Sequence, residues 1–264
     1  MGIGMKTFII GDSHVNALRE AAGRLSKSDM EAVGRPLNIG SLGTGSLALV
    51  PFCGAQKGRV FFSGGRYNRA FINLTGGSHF RADVEYGVLF GFHSLPVVTD
   101  DTWRTSAPWR VAKKHGLSPV SSAVIDEMVR DNNQHIYELY ENLISFGVRF
   151  FVISAPPIRA DHPFFKEVDC KLALAVDHEF RASASSFFQK RGVEVIFPPA
   201  DVYDKDGFMR DDLARKEPKD FHHGNASYGE IMLRHILKTI ARPGSSGPRL
   251  ELLGTAITEA KEGA

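Results

Sequence analysis

Apolar and polar positions along the chain follow two alternating periods. Thr7-Phe8-Ile9-Ile10 is a short continuous apolar run, the pattern of a strand buried on both faces, and it stops at Gly11. From about His14 to Leu25 the period lengthens, and Val15, Leu18, Ala22 and Leu25 share one helical face. Pro36-Leu37-Asn38-Ile39 predicts a second strand, closed by the glycine-rich stretch Gly40-Ser41-Leu42-Gly43-Thr44-Gly45. Residues 84–90, 148–154 and 193–197 predict three more strands, the last two stopped by Pro156-Pro157 and Pro198-Pro199. Between them, residues 121–146, 164–190 and 227–241 carry long helical patterns.

Strands alternating with helices predict an α/β fold: a three-layer α/β/α sandwich around a central, mostly parallel sheet. One domain over residues 1–242 is expected. Two stretches depart from the alternation. Residues 58–82 hold Arg59-Val60-Phe61-Phe62 and Ala70-Phe71-Ile72-Asn73-Leu74 around Gly64-Gly65, and read as an inserted hairpin or loop pair. Residues 94–118 carry Trp103 and Trp109 with few periodic apolar positions, and read as a long excursion of the lid or binding-loop kind. Residues 243–264 read as a flexible extension. No internal repeat is present.

Composition narrows the function. Of 264 residues, 43% are hydrophobic, enough for a sizeable core. Thirty-two basic residues nearly match thirty acidic ones, so no charge excess points to nucleic acid. The N-terminal stretch lacks a leader pattern, and no apolar run reaches membrane-spanning length, so a cytoplasmic protein is expected. Cys53 and Cys170 permit one disulfide, although two buried thiols fit such a compartment better.

Three constellations could carry chemistry. Ser13, in Gly11-Asp12-Ser13-His14, sits where the first strand turns into the first helix, at the end of a strand where open α/β sheets bind ligands. Amides at that helix start can stabilise an oxyanion, while the plain alternative is a helix-capping serine. Asp220 and His223 form D-x-x-H before the last helix, a spacing at which one turn presents a general base and its orienting acceptor. The alternatives there are a histidine-rich surface loop or a metal site using His222 and His223. The glycine turn after the second strand is the third constellation, a source of a second oxyanion amide or simply a tight turn.

In this order the constellations resemble the SGNH or GDSL family of serine esterases and acyl-transfer enzymes. The first block of that family is similar to Gly11-Asp12-Ser13-His14, the second to Asn38 through Gly43, and the last to Asp220 through Gly229. The resemblance implies Ser13 as nucleophile, His223 as general base, Asp220 as its orienting partner, and the amides of Ser13 and Gly43 in an oxyanion hole. It implies no metal and no organic cofactor. Two positions depart from the pattern. The third block has asparagine in the family and Gly91-Phe92-His93 here, so that a ring N–H of His93 stands in for the amide donor. His14 replaces an apolar residue. The implied substrate is a small-molecule or carbohydrate ester, an O-acetyl group on a sugar above all. The second function class is a binding protein that keeps the fold without turnover.

Asp12-Ser13-His14 also reads as D-x-H, the opening of calcineurin-like metallophosphatases, but the further metal-binding blocks of those enzymes are missing. Asp12, His14, Phe92 and Arg159 are candidate substrate-binding residues. Arg159 could hold an anionic group or make a structural ion pair. Asp161-His162 imitates a catalytic pair. Trp103 and Trp109 could stack on a sugar, and Arg66, Tyr67, Asn68 and Arg69 form a polar cluster, read as a solvated hairpin tip.

Overall fold

The structure is a computed structural model and describes residues 5–25 and 36–241. The expected C-terminal extension lies outside the described residues.

Strand β1 (Thr7–Gly11) leads through the Asp12–His14 turn into helix α1 (Val15–Ala22), and β2 is Leu37–Ser41. The antiparallel hairpin β3 (Cys53–Gln56) and β4 (Arg59–Phe62) follows, then helix α2 (Gly65–Thr75) and strand β5 (Glu85–Leu89). Residues 94–120 fold into α3 (Leu95–Val98), β6 (Ser106–Pro108), α4 (Trp109–His115) and β7 (Ser118–Val120). Helix α5 (Ser122–Ser145), strand β8 (Arg149–Ile153), helix α6 (Cys170–Gln189), strand β9 (Val195–Ile196) and helix α7 (Ala226–Ile240) complete the chain.

The main sheet has the order β2-β1-β5-β8-β9, and every pair in it is parallel. Its inner strands are apolar after their first residues because helices cover both faces. Helix α1 packs on α7, and α5 packs on α6. Gly11 is in register with Ser41 and Leu89, so β1, β2 and β5 end level with one another. The connections leaving those three ends carry Ser13, Gly43 and His93. The chain steps from β1 to β2 on one side and later to β5 on the other, which opens a crevice at the sheet's carboxyl end.

Both insertions are built differently from their sequence patterns. The hairpin uses residues 53–62, and the apolar run Ala70–Leu74 is helical. Tyr67, Phe71 and Leu74 recur at helical spacing, and the Tyr67 and Phe71 rings pack on Phe62. Arg66 and Arg69 are exposed at the start of α2, whereas Tyr67 is buried. The 94–118 excursion is an ordered unit with its own two-stranded parallel sheet. Trp103 is fully buried and donates its indole N–H to the carbonyl of Val97 at 2.6 Å. The pattern over 164–190 is two pieces, a 3-10 turn at Pro163–Lys166 and α6, where the Asp169 side chain caps the helix by accepting the amide of Lys171. Cys53 and Cys170 are free, the first buried and the second partly buried. No described helix is long and apolar enough to cross a membrane.

Candidate functional site

The Asp12–His14 turn is arranged so that the serine stays free of the helix. Asp12 is buried and its carboxylate accepts the amide of His14 at 2.9 Å. Helix α1 starts without a side-chain cap. Ser13 Oγ instead lies 2.8 Å from Nε2 of His223. The other ring nitrogen of His223, Nδ1, lies 2.9 Å from Oδ2 of Asp220. A carboxylate can only accept, so Nδ1 carries the proton, and in the neutral ring Nε2 accepts from the serine hydroxyl.

Asp220 is itself held in place. Its Oδ1 accepts the amides of His222 and His223 at 3.3 and 3.0 Å. Desolvation pushes its carboxyl up. The amide and ring of His223, with the amide of His222, outweigh this and hold it below the usual carboxylate range. Asn225 caps α7 by accepting the amides of Ser227 and Tyr228, and its side-chain amide donates to the carbonyls of Asp212 and Ala214. The 220–223 turn is thereby tied to both the helix that follows it and the loop before it.

Arg159 braces the same turn from beneath. It is buried, and its guanidinium donates to the carbonyls of Arg215 and Asp220, each at 2.8 Å, and to both oxygens of Asp161. Four of its five N–H donors are bonded within the protein and it does not line the cleft, which replaces the expected substrate contact with a structural one. Asp161 is engaged with Arg159, and Nδ1 of His162 accepts the amide of Phe164, so this pair is no second catalytic couple. Phe92 is also not a ligand contact: it is 1% exposed and packs on Phe188 and Phe197. Trp109 is exposed but lies outside the cleft, with its indole N–H 3.2 Å from Ser122 Oγ.

A cleft of about 470 Å³ opens over Ser13. His14, His93, His222 and His223 share its wall with Asp12, Thr44, Gly45 and Ser46. Gly43 is buried just behind that wall. A side chain there would meet the Tyr67 ring at 2.6 Å, so packing against that ring, rather than a turn conformation, demands glycine. His93 is placed by a turn at Gly91, where φ is 91°.

The four imidazoles form one cluster. His14 lies 4.8, 5.5 and 4.7 Å between ring centres from His93, His222 and His223. Burial, and then its histidine neighbours, lower the pKa of His14 well below the ordinary value. The same causes push His93 down to about 3 and His222 down to about 4. Burial pushes the Asp12 carboxyl up to about 7, against the smaller opposing effect of the His14 amide.

No protein-family model matches the chain, and comparison with curated proteins gives no match. Among solved structures it is similar to a Bacteroides fragilis protein assigned as an acylhydrolase. The TM-score is 0.50 at 11% identity, over 92% of this chain and 90% of that one. The two share a fold, helices on both faces of a mostly parallel central sheet. An acetylxylan esterase from Geobacillus stearothermophilus is similar over 92% of this chain and 97% of its own, with 12% identity and a TM-score of 0.48. A lipolytic protein of the G-D-S-L family from Desulfitobacterium hafniense gives a TM-score of 0.46 at 13% identity, over 89% of this chain and 99% of that one. At such identities the likeness speaks for the fold, and the chemistry rests on the side chains themselves.

Several cleft residues escaped the sequence patterns. Asn132, Asn133 and Ile136 come from α5, Pro96 from α3, and Ala48 and Leu49 from a 3-10 turn at Gly45–Leu49. Asn133 is 1% exposed and donates to the carbonyl of Gly91 at 2.9 Å, which steadies the turn that carries His93. It had a signal. It occupies the apolar face of α5, four residues after Val129 and three before Ile136, where a polar residue needs a specific partner.

Proposed function

We propose that the protein is a serine-dependent ester hydrolase or acyl-transfer enzyme with Ser13 as nucleophile. The observation that carries this is the chain of two hydrogen bonds, 2.8 Å from Ser13 Oγ to His223 and 2.9 Å from His223 to Asp220. His223 takes the hydroxyl proton as Ser13 attacks the ester carbonyl, then returns it to the leaving alcohol. Asp220 orients the ring and stabilises its charged form. The amides of Ser13 and of the Gly43 turn, with the ring of His93, face the oxyanion of the tetrahedral intermediate. Water then completes hydrolysis, or a second alcohol completes transfer, and no cofactor enters these steps.

The cleft supports a small acyl group. Ala48, Leu49, Pro96 and Ile136 supply apolar wall beside the histidines. An O-acetyl group on a carbohydrate fits this volume. The aromatic residues expected to stack on a sugar do not contribute, because Trp103 is a core residue and Trp109 lies outside the cleft.

The test is hydrolysis of short-chain p-nitrophenyl esters by the wild type, Ser13→Ala and His223→Ala, with fluorophosphonate labelling of Ser13. Loss of about 10⁴-fold or more in kcat for either variant is expected for residues acting as one unit. Folded wild-type protein that neither turns over esters nor labels at Ser13 would refute the mechanism. It would favour the second reading, a binding protein, which the histidine in place of asparagine at position 93 motivates.

A further inference from the structure

His14, His93 and His222 are three imidazoles that the serine mechanism uses at most in part. They come from three separate segments, the β1–α1 turn, the loop after β5 and the loop before α7. One ring nitrogen from each lies within 4.8 Å of the other two. Points no further apart than this have a common centre within about 2.8 Å of each, while a zinc–imidazole bond measures about 2.0–2.1 Å, so each ring closes in by at most about 0.7 Å. Side-chain rotation and small loop shifts supply that distance.

Two of the rings also carry a nitrogen conspicuous for what it lacks. Nδ1 of His14 and Nε2 of His93 are buried without a hydrogen-bond partner, although buried polar atoms of this kind are ordinarily satisfied. His14 is 4% exposed, so water does not answer for it freely. The alternative grouping of Asp220, His222 and His223 is the poorer candidate. Asp220 and His223 already bond to each other, and His223 bonds to Ser13.

We propose that His14, His93 and His222 form a binding site for one divalent transition-metal ion in the cleft beside Ser13. The donor set is three neutral imidazoles without a carboxylate or thiolate. That selects zinc, cobalt, nickel or copper over magnesium or calcium, whose ligands are oxygens. Three protein ligands leave a coordination position open, the pattern of sites that accept a water or substrate oxygen. The inference does not depend on Ser13 being a nucleophile, since none of the three ligands is needed to activate the hydroxyl.

The full-length protein, stripped with a chelator and dialysed, is titrated with Co²⁺ by visible absorption and with Zn²⁺ by calorimetry. One ion per chain is expected, with the absorption of tetrahedral or five-coordinate Co²⁺. His222→Ala removes the most accessible ligand and should spare the core; it is expected to weaken binding by about a hundredfold or more, since even outer partners of a metal site cost 10–100-fold. His93→Gln keeps much of the ring's volume and should weaken binding likewise, with folding of both variants checked by circular dichroism. Ser13→Ala should bind as the wild type does. Absence of saturable binding, or unchanged affinity in folded His222→Ala and His93→Gln, overturns the proposal. So does binding lost in His223→Ala but retained in His222→Ala. Fluorophosphonate labelling of the metal-free protein is followed in parallel, so failure of the metal site and failure of the nucleophile are read separately.

Discussion

Replacing Arg159 by methionine tests whether the 220–223 turn is held from within the protein. Methionine keeps much of the length and apolar volume but no donor. The change leaves the carbonyls of Arg215 and Asp220 without the two 2.8 Å bonds they now receive, and Asp161 without its partner. Hydrogen bonds to charged groups contribute about 1.5–3 kcal/mol each, which gives about 3–6 kcal/mol for the two carbonyls. The Asp161 pair adds little, because the carboxylate is half-exposed. The lower end, about 3 kcal/mol, corresponds to a fall in Tm of roughly 6–12 °C for a chain of this size. The turn carries Asp220 and His223, so loosening it should also lower kcat, and a displacement of 1 Å costs on the order of a hundredfold. KM should change little, because no donor of Arg159 faces the cleft. Arg159→Lys should restore only part of either effect, since an ammonium cannot fork across two carbonyls and a carboxylate. Thermal melts and kcat/KM split into its parts are the assays. If Arg159→Met melted with the wild type and raised KM for acidic esters alone, Arg159 would be a substrate ligand and the bracing would be refuted.

Three further outcomes follow from the packing and charges. Gly229→Ala should abolish soluble folding or cost several °C or more in Tm, because its added carbon would lie 2.0 Å from the carbonyl oxygen of Ala17 where α7 crosses α1; a melt matching the wild type would show that the helices can part freely. Burial, and then the Glu138 charge, push the Cys53 thiol up to about 12, so iodoacetamide at pH 8 should modify at most Cys170 in the folded protein and both thiols after denaturation, counted by intact mass. The depressed pKa of Asp220 means that its ionised form stabilises the fold above its ordinary value near 4 and that this contribution fades as pH falls further. Urea melts of wild type and Asp220→Asn should therefore begin to converge as pH falls below about 4, and a gap that widens on acidification would contradict the sign.

Much of the scaffold was legible because its signals are local. A buried parallel strand carries a continuous apolar run, and β1, β5 and β8 hold such runs at Phe8–Ile10, Tyr86–Leu89 and Phe150–Ile153. The serine and the Asp220–His223 pair stood out because each occupies a turn at a helix start, where a short motif controls the geometry. Local signals failed where two structures share a pattern. A five-residue apolar run such as Ala70–Leu74 fits strand and helix equally, and the Phe62 and Phe80 rings decide for helix by receiving one face of α2. The histidine cluster was invisible for another reason. His14, His93 and His222 are far apart in the chain, and only the level ends of β1 and β5, met by the loop before α7, bring the rings together.

That convergence explains where the fold buries its polar side chains. Seven of the nine buried polar residues described are Asp12, His14, Ser94, Asn133, Ser154, Arg159 and Asp177. Asp12 bonds the turn that holds Ser13, and Asn133 bonds the turn that leads to His93. Ser94 donates to Asp177, which pairs with Arg181, and Arg181 in turn donates to Ser154 and to the carbonyl of Pro156 after β8. Arg159 bonds the turn that holds His223. Each such group is costly to bury unless its bonds are made, and an apolar residue of similar size would serve the core at less risk. Their concentration at one end of the sheet therefore makes sense as bracing. Three loops with little regular structure of their own are held rigid around a single cleft, so that hydroxyl and imidazole meet at bonding distance before any substrate arrives.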